Sequence, residues 1–165
     1  MLHRGGLLLA GRGARDLLDL PMTAFFASRQ CPGTAIRAAM DWALEQARAK
    51  AVVVSGFHSP LEQSVLKVLM AARSPVVAVL ARPLEGAKLP SEWAQPMAQG
   101  QMAVVCTATK LKRLTQDAAT IRNDHAAQLA SGIVVAYASA SGALADLCIQ
   151  WQTEGRDVTR LEALK

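Results

Sequence analysis

The sequence predicts an α/β protein in which a parallel β-sheet carries helices on both of its faces. Short runs rich in Val and Ala alternate along the chain with segments of helical period. These runs lack polar alternation, which is typical of strands that are buried on both faces. Aromatic residues make up only 4% of a chain that is 52% hydrophobic. Small apolar residues of this kind suit helices packed on a parallel sheet better than an aromatic-rich sandwich.

Five strands are expected, in chain order, at residues 22–27, 51–54, 75–80, 102–105 and 132–136. In the helix after the first strand, one face is expected to be buried because apolar residues recur on it at three- and four-residue spacing: Ile36, Met40, Ala43 or Leu44, and Ala47. The helix after the second strand begins at Ser59, and the proline and glutamate that follow complete a capping box. Gly155 is expected to end the last long helix.

The length of 165 residues predicts one domain over residues 1–165, with a lead-in segment at 1–20 and a polar tail at 153–165. A small helix is expected near residues 15–20. The apolar run 7–10 is too short to cross a membrane. Three scattered cysteines, Cys31, Cys106 and Cys148, are typical of reduced packing residues. These features predict a cytoplasmic protein that binds no membrane.

Charge and loop composition indicate an anionic ligand. Lys and Arg number 18 against 13 Asp and Glu, a net charge of +5, which favours anionic partners. In open parallel sheets, ligands bind beyond the carboxyl ends of the strands. The segments after the predicted strands supply small and cationic residues that suit a phosphate group: Ser28, Arg29, Ser55, Gly56, His58, Arg82, Ser141 and Gly142.

Further residues of these loops suit a nucleic acid. A basic loop with Lys110, Lys112 and Arg113 could follow a nucleic-acid backbone. An aromatic residue could stack on a base, the candidates being Phe57, Trp93 and Tyr137. The sequence has no nucleophile elbow, no P-loop, no HExxH and no GxGxxG after the first strand. We therefore predict no catalytic residue, no metal site and no cofactor.

Five segments in order resemble the DNA-processing protein A family, DprA or Smf, from about residue 17 to residue 157. They are the Ser28-Arg29 pair, the Ser-Gly pair at 55–56, the run 77–80 followed by Pro90, the Arg-Asn pair at 122–123, and the Ser-Gly pair at 141–142. The resemblance implies a Rossmann-like doubly wound sheet of about five to six strands. It further implies that the chain binds single-stranded DNA, passes it to a recombinase during transformation, and forms homodimers.

The resemblance also assigns roles to two further residues. Arg122 would contact phosphate with its forked guanidinium, and Asn123 would position the ligand. Two departures from the family pattern matter. Asp124 stands where the family has a second arginine, and residues 59–62 lack a glycine of the family segment. A ligand of nucleotide type is therefore an alternative to DNA.

The sequence is also compatible with two other functions. The first is a nucleotide-cleaving phosphoribohydrolase of the same superfamily, although residues 138–146 lack the paired glycines of that group and have Asp in place of its Glu. The second is a nucleotide-sensing or assembly module without DNA affinity. The sequence favours a non-catalytic DprA-like protein that binds single-stranded nucleic acid or a nucleotide at the carboxyl edge of its sheet.

Overall fold

The structure, a computed structural model, describes residues 2–4, 7–107 and 118–163. Its strands are β1 (Leu2–Arg4), β2 (Leu7–Gly13), β3 (Met22–Ala27), β4 (Val52–Ser55), β5 (Val76–Leu80), β6 (Met102–Thr107), β7 (Gly132–Tyr137) and β8 (Val158–Arg160). Its α-helices are α1 (Gly33–Ala49), α2 (Pro60–Ala71), α3 (Ala94–Ala98), α4 (Ala118–Leu129) and α5 (Ala143–Thr153). Short 3₁₀ helices occupy Arg15–Asp19, Ser91–Trp93 and Leu161–Ala163.

The strands form one sheet in the order β1-β2-β6-β5-β4-β3-β7-β8. All neighbours from β6 to β8 pair in parallel. The chain runs from β3 outward to β6 and then returns to the other side of β3 for β7. Such a reversal leaves a crevice between the carboxyl ends of the two strands at the switch point. The predicted doubly wound α/β fold is confirmed, and the crevice lies beside β3 and β7.

The sheet is larger than the five or six strands predicted. The segment predicted as a lead-in contains β1 and β2, which pair antiparallel with each other and with β6. The segment predicted as a polar tail contains β8, which pairs with β7. β2 ends in Gly and Arg and is not a run of β-branched residues, and a three-residue strand such as β8 has no hydrophobic period. Their sequences therefore carried no strand pattern.

Each face of the sheet is covered by a separate hydrophobic layer. Met22, Ala24 and Phe26 of β3 point to one face, where α4, α5 and the Arg15–Asp19 helix pack. Phe25 and Ala27 point to the other, where α1 and α2 pack. Stacked rings join helices to sheet on both faces: Phe25 lies 5.0 Å from Trp42, and Phe26 lies 4.9 Å from Trp151, measured between ring centroids.

The prediction for the buried face of α1 was partly wrong. Ile36 and Leu44 are 43% and 45% exposed, whereas Ala43 and Ala47 are buried as predicted. Three further residues are buried with them and were not predicted: Ala35, Ala39 and Trp42. Small alanine side chains let the helix axis come close to the sheet, and one indole ring then fills the space between them. The spacing of large apolar residues does not report such a face.

The predicted start of α2 and the predicted end of α5 are both confirmed. Ser59 and Glu62 form the predicted capping box at the start of α2. Gly155 follows the end of α5 with φ of 78°, a conformation that glycine adopts without strain. The three cysteines are free thiols. Within the described part of the chain, no helix is both long enough and apolar enough to span a bilayer.

Candidate functional site

A cleft of about 770 Å³ opens at the carboxyl ends of β3 and β7. Four parts of the chain line it: the loop after β3, the start of α2, the first half of α4, and the β7–α5 loop. The predicted site residues among them are Ser28, Arg29, His58, Arg122, Asn123 and Gly142. Residues more than a hundred positions apart in the chain therefore meet at the switch point of the sheet.

Ser28 joins the two strand ends that frame the cleft. Its backbone N–H donates to Tyr137 O at 2.9 Å, and its Oγ accepts the Ser139 N–H at 2.9 Å. The loop after β3 and the loop after β7 are therefore held together directly. The neighbouring Arg29 is exposed at the cleft rim, where its guanidinium can reach a ligand in solution.

Glu62 is buried in the wall of the cleft, only 2% exposed, and organises the backbone around it. Its Oε2 accepts the Ala27 N–H at 3.0 Å, while Oε1 accepts the N–H groups of His58 and Ser59 at 3.0 and 3.2 Å. The sequence predicted only the cap of α2. The bond to Ala27 adds a tie from α2 to the end of β3, and it joins residues 35 positions apart that no local pattern relates.

These bonds have a consequence for ligand binding. The N–H groups of Ala27, His58 and Ser59 lie close to the ends of β3 and β4, and all three are bound to Glu62. An anion in the cleft must therefore find its donors elsewhere. Two kinds of donor that favour negative charge line the same cavity, namely the side chains of Arg29 and Arg122 and the backbone at the start of α5.

Arg122 reaches the cleft from α4 and is 9% exposed. Its side chain crosses directly over Gly56, and a Cβ at that glycine would overlap Nε and Cδ of the arginine and lie 3.1 Å from its Cγ. Arg122 can therefore occupy this position only because residue 56 is a glycine and has no side chain. A guanidinium held in a partly enclosed position interacts with an anion more strongly than one surrounded by water.

Asn123 and Asp124 follow Arg122 on α4 but face different surroundings. Asn123 lines the cleft, and its Oδ1 is buried with no hydrogen-bond partner in the described part of the chain. Asp124 instead accepts from Trp151 Nε1 at 3.3 Å and from Gln128 Nε2 at 3.0 Å. The acid at the family's second arginine position therefore packs α4 against α5 and does not line the cleft.

The N-terminus of α5 opens on the cleft. Gly142 is its N-cap residue, no side chain caps the helix, and Gly142, Ala143 and Leu144 all line the cavity. The first N–H groups of a helix have no partner within the helix and carry partial positive charge, so they favour an anion. Helix N-termini at this edge were expected to supply N–H donors, but residues 143 and 144 were not among the predicted site residues. A glycine directly before a helix, which has no side chain to cap it, is the signal that could have indicated them.

The other predicted residues lie elsewhere. Ser55 is fully buried, and its hydroxyl accepts the Phe57 N–H at 3.0 Å, so it shapes the turn after β4 and does not line the cleft. Ser141 is exposed beside the cleft but is not among its lining residues. Arg82 lines a neighbouring hollow together with Gly56. Lys110, Lys112 and Arg113 lie outside the described residues.

The thiol nearest the cleft is suited to packing. Cys31 Sγ donates to Ser28 O at 3.2 Å. Burial raises the pKa of the Cys31 thiol, and the charges of Glu62 and Glu162 raise this pKa further. The thiol is therefore protonated at neutral pH and is a poor nucleophile. Throughout residues 2–4, 7–107 and 118–163, no cluster of His, Cys, Asp and Glu could hold a metal ion.

Comparisons with known proteins agree with this architecture. The sequence model of the family of DNA recombination-mediator protein A matches residues 2–163. The structure of DNA processing protein A (DprA) from Streptococcus pneumoniae superposes with a TM-score of 0.69 at 21% identity, covering 91% of this chain and 53% of that protein. The chain therefore spans about half the length of that relative. No curated protein matches the sequence.

A second solved structure is similar to the same extent. It is the structure of DNA processing protein A from Helicobacter pylori, reported with structural insights into that protein's mode of binding single-stranded DNA. It superposes with a TM-score of 0.70 at 16% identity. The match covers 91% of this chain and 69% of the H. pylori protein. At these identities the structural similarity establishes the fold.

Proposed function

Because this chain belongs to the DNA recombination-mediator protein A family, we propose that it binds single-stranded DNA and that the cleft between β3 and β7 holds the phosphate backbone. The observation that carries the proposal is the convergence of Arg29, Arg122 and the uncapped start of α5 on one cavity. All three favour negative charge. The H. pylori relative is described as binding single-stranded DNA, which supports the same ligand class here.

Each group has a different proposed task at the phosphate. The guanidinium of Arg122 makes a two-pronged contact to phosphate oxygens, and such charge-assisted bonds are roughly twice as strong as neutral ones. Arg29 is exposed at the rim and draws the strand toward the cleft. The N–H groups at the start of α5 accept a phosphate from the opposite wall.

The neutral groups of the cleft position the strand. Asn123 Oδ1, which is buried without a partner in the described residues, accepts an N–H from a base or from the ligand backbone. His58 is exposed at the start of α2 and adds a contact at the edge of the cleft. None of these groups supplies a nucleophile with a neighbouring base, so we propose a binding role without catalysis.

The further proposed properties rest on family membership. They are transfer of the bound strand to a recombinase, a role in DNA-mediated transformation, and self-association as a homodimer. The transfer to a recombinase requires that the protein first bind the DNA strand, which we place in the cleft. The cleft is therefore the feature to test first.

The experiment measures the affinity for a fluorescent oligothymidylate by anisotropy at several salt concentrations. For single strands, log K falls with log salt at about −0.7 per phosphate contacted. Removing Arg29 and Arg122 together, as Arg29→Ala/Arg122→Ala, should weaken binding and reduce the slope by about 1.4. The control is Arg48→Ala, since Arg48 is an exposed cation in the last turn of α1, at the opposite edge of the sheet.

Three results are informative. A steep slope that flattens in the double variant and is unchanged in the control supports the proposal. Oligonucleotide affinity that is equal in all three proteins contradicts the site. Binding of a mononucleotide with no gain for the oligonucleotide would indicate a nucleotide ligand in place of a strand, and that binding would raise the melting temperature with nucleotide concentration.

A further inference from the structure

A second hollow adjoins the cleft and has a different chemical character. Its volume is about 620 Å³, and it lies between α2 and the segment 80–93 that follows β5. Its apolar lining includes Leu66, Met70, Leu80, Leu89 and Trp93, and its charged lining includes Lys67, Arg82 and Glu92. A volume in this range and a mostly apolar lining with a few charges are typical of pockets that bind a small organic group.

The hollow and the cleft are separated only by the turn after β4, residues 56–58. His58 lines both cavities. Gly56 lines the hollow on one side, and on its other side it supports the side chain of Arg122, which lines the cleft. A chain molecule that binds in the cleft therefore reaches the hollow by crossing a single turn.

That turn is held in an unusual conformation. Phe57 has φ of 48°, in the left-handed region that bulky residues rarely occupy, and its side chain is buried. The Ser55 hydroxyl and the Glu62 carboxylate stabilise the turn by accepting the N–H groups of Phe57 and His58. Strained backbone that the surrounding structure holds in place is concentrated at binding sites.

We propose that the hollow receives the base of a nucleotide that follows, in the same single strand, the nucleotide bound in the cleft. This inference rests on the proposed function. Each class of lining residue fits one part of such a nucleotide. The apolar side chains accept the flat face of the base, while Lys67 and Arg82 attract its phosphate and exceed the single acid Glu92 in charge.

The loop that carries Arg82 is anchored well enough to form a binding wall. Arg82 donates from Nη2 to Lys88 O at 3.1 Å, which closes the loop on itself. Arg12 of β2 donates from Nη2 to Leu84 O at 3.1 Å and ties the same loop to the sheet. The side chain of Leu84, in the same loop, is buried in the hydrophobic layer and anchors the loop there. The hollow is therefore largely formed before a ligand arrives.

The test compares two defined ligands, thymidine 5′-monophosphate and 5′-phosphorylated trithymidylate. A mononucleotide requires only the cleft, whereas the trinucleotide can also fill the hollow. Because stacking contributes about 1–3 kcal/mol per base, the trinucleotide should bind roughly fivefold to a hundredfold more tightly. Met70→Trp fills the hollow and should remove this advantage without changing the affinity for the mononucleotide. The matched control is Ala71→Trp, at an exposed neighbouring position that does not line the hollow.

Two further measurements separate base from phosphate and do not depend on a core substitution. Lys67→Ala, at an exposed position of α2, should weaken only the trinucleotide and reduce its salt slope by about 0.7, while Arg48→Ala should leave both unchanged. A trinucleotide with an abasic unit keeps its phosphates and should lose the part of the advantage that base stacking supplies, if the base enters the hollow. The trinucleotide should also change the fluorescence of Trp93, a change that Trp93→Phe removes.

The outcomes distinguish this inference from the function on which it rests. Loss of the trinucleotide advantage in Met70→Trp and with the abasic ligand, at unchanged mononucleotide affinity, supports the hollow as a base site. Equal binding of the two ligands by the unmodified protein overturns the base site and leaves the cleft intact. Failure of the unmodified protein to bind either ligand overturns the proposed function together with this inference.

Discussion

Substitution of Gly56 by alanine tests the cleft without altering any charged residue. The added methyl group would overlap Nε and Cδ of Arg122, so the guanidinium must leave its place in the cleft. Gly56 is not in the left-handed region, so its backbone accepts an alanine. A flexible side chain can move at small cost, and replacing glycine at a compatible position stabilises by about 0.4–1 kcal/mol through the unfolded state. We therefore expect the free energy of unfolding to change by less than about 1 kcal/mol, which shifts the melting temperature by at most about 4 °C.

The effect on binding should be much larger. Hydrogen bonds to a charged group contribute about 1.5–3 kcal/mol. Displacing the Arg122 guanidinium should therefore weaken oligothymidylate binding by roughly tenfold to a hundredfold. The assay is fluorescence anisotropy at low salt, alongside thermal unfolding. The control is Gly33→Ala, since Gly33 starts α1 at the same edge of the sheet and a Cβ there would meet no atom within 4 Å.

A double-mutant cycle makes the reasoning refutable. If Gly56 acts only through Arg122, then Gly56→Ala/Arg122→Ala should bind as weakly as Arg122→Ala alone, because contacting residues that share one function are not additive. Additive losses in the double variant would show that Gly56 contributes by another route. Unchanged affinity of a folded Gly56→Ala protein would refute the role of Arg122 in the cleft.

Two further predictions concern stability. Glu62→Gln keeps the shape of the side chain but replaces an acceptor oxygen by an NH₂ group, which leaves a buried N–H without an acceptor. We expect a loss of about 2–3 kcal/mol in the free energy of unfolding by urea, with the exposed Glu45→Gln as control. Burial lowers the pKa of His125, against the charge of Asp124, which raises it. The unfolded chain, with a histidine pKa near about 6.5, then binds the proton more readily than the folded protein. Stability should therefore fall as the pH is lowered through about 6.5, and His125→Asn should remove this dependence.

Each of these two stability predictions has a result that would contradict it. A Glu62→Gln protein as stable as the control would show that the three N–H groups find other acceptors. A slope of stability against pH that is the same in His125→Asn would assign the dependence to other groups.

The candidate site was predictable in its parts and not in its assembly. Ser28, Arg29 and Gly142 follow strands, and the rule that parallel strands end at one edge places them together. The same rule led to the prediction that Ser55 and Arg82 belong to the site, because both also stand at the ends of strands. Ser55 is turned inward by its bond to the Phe57 N–H, and Arg82 lies on the far side of the turn after β4. A sequence reports the edge on which a residue lies, but not the side of a turn to which it points.

What the sequence determined by itself is the periodic and local structure. Short, mainly apolar runs place β3 to β7, because a strand that is buried on both faces needs apolar residues on both sides. The capping box starts α2, because its bonds join residues three positions apart.

Only the tertiary structure decided the rest. Strands β2 and β8 form because β6 and β7 offer backbone groups for pairing, which many sequences can satisfy. The contact of Arg122 with Gly56 and the bond of Glu62 to Ala27 join residues 66 and 35 positions apart. Such contacts depend on the order in which the strands are arranged around β3, so no regular spacing of residues in the sequence predicts them.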